Sequence, residues 1–271
     1  MKGDITTRTS RRIKQRNNRN LVKEKLRAGK PAVGTWIEMP FPDISEQLAM
    51  MGFDWLVFDV EHGVFSFPQV QLMIQSMARF PDCLPMVRVP INDPVYFKWA
   101  LDIGATGIVV PMVNNGKEAE RAVKSCKYPP DGMRGCGPRR AADYGRTYKE
   151  YVQSSNDEVL VVPMIETKDA LANLDEILSV KGVDAIFVGP DDLSLNLGIF
   201  QQKTHPEFKN ALKKILAACH KHGVAPGMHC NESNISDAIS DGFQFVALND
   251  DDTFLQMGAK SCLDKVRGWS H

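Results

Sequence analysis

No run in this 271-residue chain approaches the roughly 20 consecutive apolar residues that a membrane-spanning helix requires. The first residues also lack the apolar core of a secretory signal. These two absences set the expectation of a soluble, intracellular, cytoplasmic protein. Cysteine is present (Cys83, Cys126, Cys136, Cys219, Cys230, Cys262), but no CxxC pair and no finger-like Cys/His spacing occurs. The expectation is therefore reduced structural thiols in a reducing compartment. Neither GxGxxG nor GxxxxGK[ST] follows the first strand candidate, which excludes nucleotide binding by those routes. There is no low-complexity tract.

Formal net charge is also absent, but the charges are segregated. Residues 1–30 carry eleven Lys or Arg against Asp4 and Glu24, a net +9, so the remainder carries −9. The expected organisation is a basic leader over residues 1–30, partly disordered and then helical from about Asn20 to Ala28, followed by one barrel domain over 31–271. Such an arm could bind nucleic acid or an anionic surface, or act as an organellar address. Without the aromatic interleaving of single-strand binders, a solvated leader is the simpler reading.

What the chain has in quantity is alternation. Short β-like runs are predicted at 33–38, 55–60, 85–89, 107–113, 159–165, 185–188, 225–229 and 243–248. Amphipathic helices are predicted between and after them, at 43–51, 68–79, 94–103, 117–127, 168–178, 206–222, 231–240 and 252–267. Asp93-Pro94 supplies an N-cap followed by proline at the first helical position, and His205-Pro206 resembles it. Strands as apolar as Gly107–Val113 suit a parallel sheet buried on both faces. Eight β/α pairs point to an α/β fold, a single (β/α)₈ TIM barrel, with an open doubly wound sheet as the alternative. The stretch 128–157 has no clear strand, and a loop of that length is expected to have a task such as covering a site.

If the barrel is correct, polar groups at the carboxyl ends of its strands converge on one mouth. The second strand ends in Asp59-Val60-Glu61-His62-Gly63, the third at Arg88, the fifth in Glu166 and the sixth in Gly189-Pro190-Asp191-Asp192. Glu166 and Asp192 offer oxygen ligands suited to a hard divalent cation. Asp192 could instead cap a helix beginning at Leu193. Arg88 could stabilise a developing negative oxygen, or could pair with Asp59 or Glu61 and serve the fold alone. His62 could move a proton with Asp59 orienting it, or be a turn residue before Gly63.

These segments resemble the HpcH/HpaI aldolase family of metal-dependent pyruvate aldolases. The resemblance covers nearly all of residues 32–266. It rests on Gly34-Thr35-Trp36, Gly52-Phe53-Asp54-Trp55, Phe58-Asp59-Val60-Glu61-His62, Val87-Arg88-Val89-Pro90, Asn92-Asp93-Pro94, Val110-Pro111-Met112-Val113, Tyr128-Pro129-Pro130, Arg134-Gly135, Ile165-Glu166-Thr167 and Gly189-Pro190-Asp191-Asp192-Leu193-Ser194. It implies reversible cleavage of a 4-hydroxy-2-oxo acid to pyruvate and an aldehyde. It also implies Mg²⁺, Mn²⁺ or Co²⁺ on Glu166 and Asp192, chelated by pyruvate, with the pyruvate carboxylate held by N–H groups near Gly189 to Asp192. His62 and Asp59 would act as an acid/base dyad through a metal-bound water that Glu61 supports, and Arg88 would hold the keto oxygen. The counterpart of Asp102 would reach the site of an adjacent subunit, in a hexamer (a trimer of dimers) whose last helix is swapped between neighbours. Within the superfamily, oxaloacetate decarboxylation and CoA-linked (malyl or citramalyl) lysis are the alternatives. A non-catalytic barrel with a binding arm is a more distant one. The chain departs from the family at Met164, where many members carry Gln, and at Pro226-Gly227-Met228-His229-Cys230, where His229 could meet a polar or acidic acceptor or simply pack.

Overall fold

A computed structural model describes residues 19–267, so residues 1–18 of the expected leader lie outside the described residues. Helix α1 (Leu21–Arg27) opens the described chain. It is started by Asn20, whose side chain accepts the Lys23 N–H. Eight strands follow: β1 (Ala32–Ile37), β2 (Trp55–Asp59), β3 (Leu84–Arg88), β4 (Gly107–Val110), β5 (Leu160–Ile165), β6 (Ala185–Val188), β7 (Ala225–Cys230) and β8 (Phe245–Asp250). All neighbours are parallel, and β8 closes on β1, which makes the barrel that the alternation predicted.

The helices between them are α2 (Pro42–Met50), α3 (Phe67–Ser76), α4 (Pro94–Asp102), α5 (Gly116–Cys126), α6 (Tyr148–Glu158), α7 (Lys168–Ala172), α8 (Leu174–Leu178), α9 (Pro190–Asn196), α10 (Pro206–His222) and α11 (Ile235–Asp241). Helix α12 (Asp251–Arg267) ends the chain's described part. Among the described residues no helix is long and apolar enough to cross a membrane.

Period-two alternation splits the apolar residues into two cores. One faces outward, between sheet and helices, with Phe58, Met73, Phe97, Ile108 and Ile186. The other fills the barrel with Trp55, Met86, Leu160, Phe187 and Phe245. Gly34 makes room for this filling, since a Cβ there would lie 1.9 Å from the Trp55 indole. That indole stacks on Phe245 at 4.3 Å between centroids. Val22 and Leu26 of α1 belong to the same interior core, so the helix plugs the end of the barrel where the strands begin. Lys23, also buried, fastens it by an ion pair with Asp184 (2.8 Å) and a hydrogen bond to the Val159 carbonyl (2.9 Å).

Several boundaries differ from the sequence reading. The predicted helix 168–178 breaks at Asn173, which joins α7 to α8. The predicted strand 107–113 ends at Val110, because Met112 takes a left-handed conformation (φ 54°). The long stretch 128–157 does not cover the mouth. It leaves the C-terminus of α5 and therefore lies where strands start, with α6 as its second half. Arg134, buried, holds it there through Asp102 (2.7 Å), Ser155 (3.2 Å), the Tyr151 hydroxyl (3.2 Å) and the Tyr128 ring (4.5 Å).

Candidate active site

Strand parity builds the site. Trp55, Val57 and Asp59 point inward on β2, Leu84, Met86 and Arg88 on β3, and Leu160, Val162 and Met164 on β5, with Glu166 two residues further. The apolar filling thus gives way, one layer higher, to charged groups.

Arg88 is the hub. Its Nε donates to Asp59 Oδ1 (2.8 Å) and its Nη2 to Asp59 Oδ2 (2.5 Å), a fork-on-fork pair that is fully buried on the carboxylate side. Its Nη1 lies 3.2 Å from Glu61 Oε2 and 4.0 Å from the Met164 sulfur. The guanidinium rests over the Trp36 ring at 4.5 Å. Of the two sequence readings of Arg88, the contacts show the pairing with Asp59 and with Glu61.

Asp59 does not touch the His62 imidazole. Its Oδ1 instead accepts the backbone N–H groups of Glu61 (3.0 Å) and His62 (3.2 Å), so it fixes the turn that carries the ring. The imidazole is exposed, with Nε2 4.0 Å from Glu61 Oε2. Burial raises the Glu61 carboxyl above its usual range, against the downward pull of Arg88 and His62.

Glu166 is almost wholly buried, and its Oε1 accepts the Met112 N–H at 2.6 Å. Burial first, and then the charges of Glu61 and Asp192, push its carboxyl up to about 7 against the Met112 hydrogen bond and Arg88. Gly189 keeps the space beside it: a Cβ there would stand 3.0 Å from Glu166 Oε2 and 3.2 Å from the Met164 methyl, a tight fit that those side chains would have to yield to. Asp191 and Asp192 are exposed in the first turn of α9, which begins at Pro190 with Gly189 as N-cap. Asp192 is therefore not the cap of a helix starting at Leu193. Asp191 pairs with Lys203 at 3.0 Å.

His229 is partly buried on β7. Burial lowers its pKa below the ordinary imidazole value, opposed by Asp250. A cavity of about 710 Å³ runs past it, lined in part by Pro190, Asp191, Lys203 and Asp250. Asp102 stands apart from all of these. It closes α4 at the opposite end of the barrel, bound to Arg134. Among the described residues no group of three or more His, Cys, Asp or Glu is arranged to hold a metal ion by itself.

Sequence reasoning named most of the charged layer but gave no role to Trp36 beneath Arg88, or to Met112 and Thr167 around Glu166, and did not name Asn114. Counting back by two from Asp59 reaches Val57, and Trp36 pairs with Val57 across the β1–β2 register, which brings Trp36 into the layer below. Met112 acts through its backbone, which leaves no mark in residue type.

A closed barrel with an arginine and several carboxylates gathered at the carboxyl ends of its strands is an enzyme architecture. The comparisons specify which. The chain belongs to the HpcH/HpaI aldolase/citrate lyase family, whose model matches residues 32–256. It is accordingly an enzyme of the lyase class, in a family of metal-dependent aldolases and lyases. A 4-hydroxy-2-oxo-heptane-1,7-dioate aldolase of Klebsiella pneumoniae is 40% identical over 245 residues, covering 89% of this chain and 92% of the relative. An HpcH/HpaI aldolase/citrate lyase family protein from Burkholderia cenocepacia superposes with a TM-score of 0.88 at 31% identity, covering 92% of this chain and 99% of the other. The HpcH/HpaI aldolase from Desulfitobacterium hafniense gives 0.85 at 32% identity, covering 92% and 97%.

Proposed function

We propose that the protein reversibly cleaves a 4-hydroxy-2-oxo acid with an acidic tail into pyruvate and an acidic aldehyde, with Glu166 and Asp192 holding Mg²⁺, Mn²⁺ or Co²⁺. The observation that carries this reading is the convergence of Arg88, Glu61 and Glu166 in one layer at the carboxyl mouth, with the charge of Asp192 felt there. The donor set fits a hard cation. Both proposed ligands offer oxygen, Glu166 Oε2 faces the space kept by Gly189, and a carboxyl held near 7 among like charges is one that a cation relieves. When bound, the ion supplies Lewis-acid stabilisation of the oxygen that becomes negative as the C3–C4 bond breaks.

The rest of the chemistry belongs to the chain's own groups. At the start of α9 the backbone N–H groups of Gly189, Asp191 and Asp192 would receive the substrate carboxylate, Pro190 having none to give. Arg88, locked by Asp59 and seated on Trp36, directs its remaining donors at the keto oxygen. His62 takes the C4 hydroxyl proton at Nε2, and Glu61 steadies the resulting cation. The electrons of the C3–C4 bond pass into the enolate, the aldehyde departs, and C3 takes up a proton to become the pyruvate methyl. Asp59 holds the turn that carries His62 through its two backbone hydrogen bonds. The aldehyde tail meets His229 and Lys203 beside the cavity.

The remote position of Asp102 fits a role in a neighbouring subunit's mouth rather than its own, within a homo-oligomer, a hexamer on this reading. All six cysteines are free, which fits a reducing compartment such as the cytoplasm.

Pyruvate release from 4-hydroxy-2-oxo acids, measured with and without chelator, tests the reading. Activity should vanish on metal removal and return with Mn²⁺, and Glu166→Gln should lose at least about 100-fold. Undiminished turnover in the metal-free enzyme or in the variant would refute it. Faster turnover of oxaloacetate or a malyl thioester would move the assignment within the family.

A further inference from the structure

The turn between β4 and α5 is strained and heavily fastened. Met112 is a non-glycine residue at φ 54°, and its side chain is 55% exposed. A left-handed conformation costs such a residue roughly 1–2 kcal/mol, so something must hold it. No apolar contact explains it, because the side chain points to solvent. What the conformation achieves is the direction of the Met112 N–H, which reaches Glu166 Oε1 at 2.6 Å.

The fastenings centre on Asn114. Its Nδ2 donates to the Met112 carbonyl (3.0 Å). Its Oδ1 accepts a short hydrogen bond from the Thr167 hydroxyl, the residue directly after Glu166. Its carbonyl accepts from Asn173 Nδ2 (2.9 Å), and its N–H donates to Glu118 Oε2 (2.7 Å) in the first turn of α5. One asparagine thus ties the strained residue on one strand end to the segment carrying Glu166 on the next.

The geometry points to Asn114 as a positioning residue: with Thr167 it holds Met112 in the left-handed region so that the Met112 N–H occupies Glu166 Oε1 and leaves Oε2 as the oxygen offered to a divalent cation. This rests on the assignment of Glu166 as a cation ligand and deepens it. A carboxylate free to present either oxygen binds in several poses, whereas one with an oxygen already committed is aimed before the ion arrives. The break between α7 and α8 is explained by the same device, since Asn173 leaves helical geometry where its side chain reaches the Asn114 carbonyl.

The experiment is a Mn²⁺ titration followed by electron paramagnetic resonance on the wild type and on Asn114→Ala, Thr167→Val and Thr167→Ser, with crystal structures of the first two variants. Asn114→Ala and Thr167→Val should each raise the Mn²⁺ Kd about tenfold, and Thr167→Ser, which keeps the hydroxyl, should stay within about twofold. The double variant should cost less than the sum of the singles in free energy, as one clamp removed twice. Folded variants that melt lower yet bind Mn²⁺ as tightly as wild type would overturn the proposal and leave the turn a merely structural element. Should the wild type bind no Mn²⁺, the cation assignment falls, and the variant structures still decide the clamp. Met112 released to negative φ with the Glu166 carboxylate turned supports it, and an unmoved carboxylate overturns it.

Discussion

Residue identity announced a place at the mouth wherever a charged side chain sat at the end of an apolar strand, as with Asp59, Arg88 and Glu166. Their partners were harder to read. Nothing in the sequence says that Asp59 serves Arg88 and two backbone N–H groups instead of the imidazole, because that choice depends on the register placing Asp59 opposite Arg88. His229 is the opposite case, a residue whose type left its role open and whose environment narrows it. Burial lowers its pKa, with Asp250 and Asp191 pulling the other way and Lys203 reinforcing burial. A folded-state pKa below the ordinary value means that the neutral ring is preferred. Its contribution to stability is fully present above the unfolded value near 6.5 and is lost as pH falls through the lower folded value. In a His229→Gln variant the midpoint of thermal unfolding should therefore fall less steeply than in wild type between pH 7 and about 5. Parallel melting curves across that window would show that the ring is not held neutral.

At the scale of elements, all eight strands were legible, since runs such as Leu160–Ile165 are buried along their whole length and carry little but aliphatic side chains. Their mouth ends were less so. β8 runs on to Asp250, past the point where hydrophobicity stops, with its register against β1 shifting where Asn249 takes φ 48°. Helix α6 was missed altogether, its Tyr148–Glu158 sequence being polar on most faces with only Ser155 buried. The opposite surprise is α1. A run of basic residues suggested a solvated leader, yet Val22, Lys23 and Leu26 are buried, and the helix seals the barrel floor. Lys23 reads as surface by type, and its pairing with Asp184 and hydrogen bond to the Val159 carbonyl offset the cost of its burial. Leu26→Ala should cost about 2–4 kcal/mol, which for a domain of this size is a fall of several degrees in Tm. A change below about 0.5 kcal/mol would mean that the helix does not plug the barrel in solution.

At the scale of the whole molecule, one element stands out by its exposure. Helix α12 is anchored by its start: Asp250 Oδ1 accepts the Thr253 N–H at 2.6 Å, Asp251 accepts those of Glu38 (2.9 Å) and Met39 (3.0 Å), and Phe254 lies 6.1 Å from Phe53. From Leu255 to Val266 its residues are exposed, Val266 at 82%. Leu255, Ala259, Leu263 and Val266 fall at i, i+4, i+8 and i+11, one apolar stripe left exposed among the described residues. A helix of this length is marginal in water without tertiary packing, and a bare stripe of this kind is a surface that another chain covers. Phe41, Met50 and Met51 at the two ends of α2 are exposed large hydrophobics that a neighbouring copy's stripe would bury. The reading of Asp102 requires the same neighbour, because its carboxylate stands at the wrong end of its own barrel. Leu255→Glu/Leu263→Glu should therefore do two separable things. Sedimentation should shift from an oligomer to the monomer, and activity should fall although no residue of the mouth has changed. Wild-type protein sedimenting as a fully active monomer would remove both the covering copy and the borrowed carboxylate. An assembled but inactive variant would separate them, placing the fault in the barrel itself.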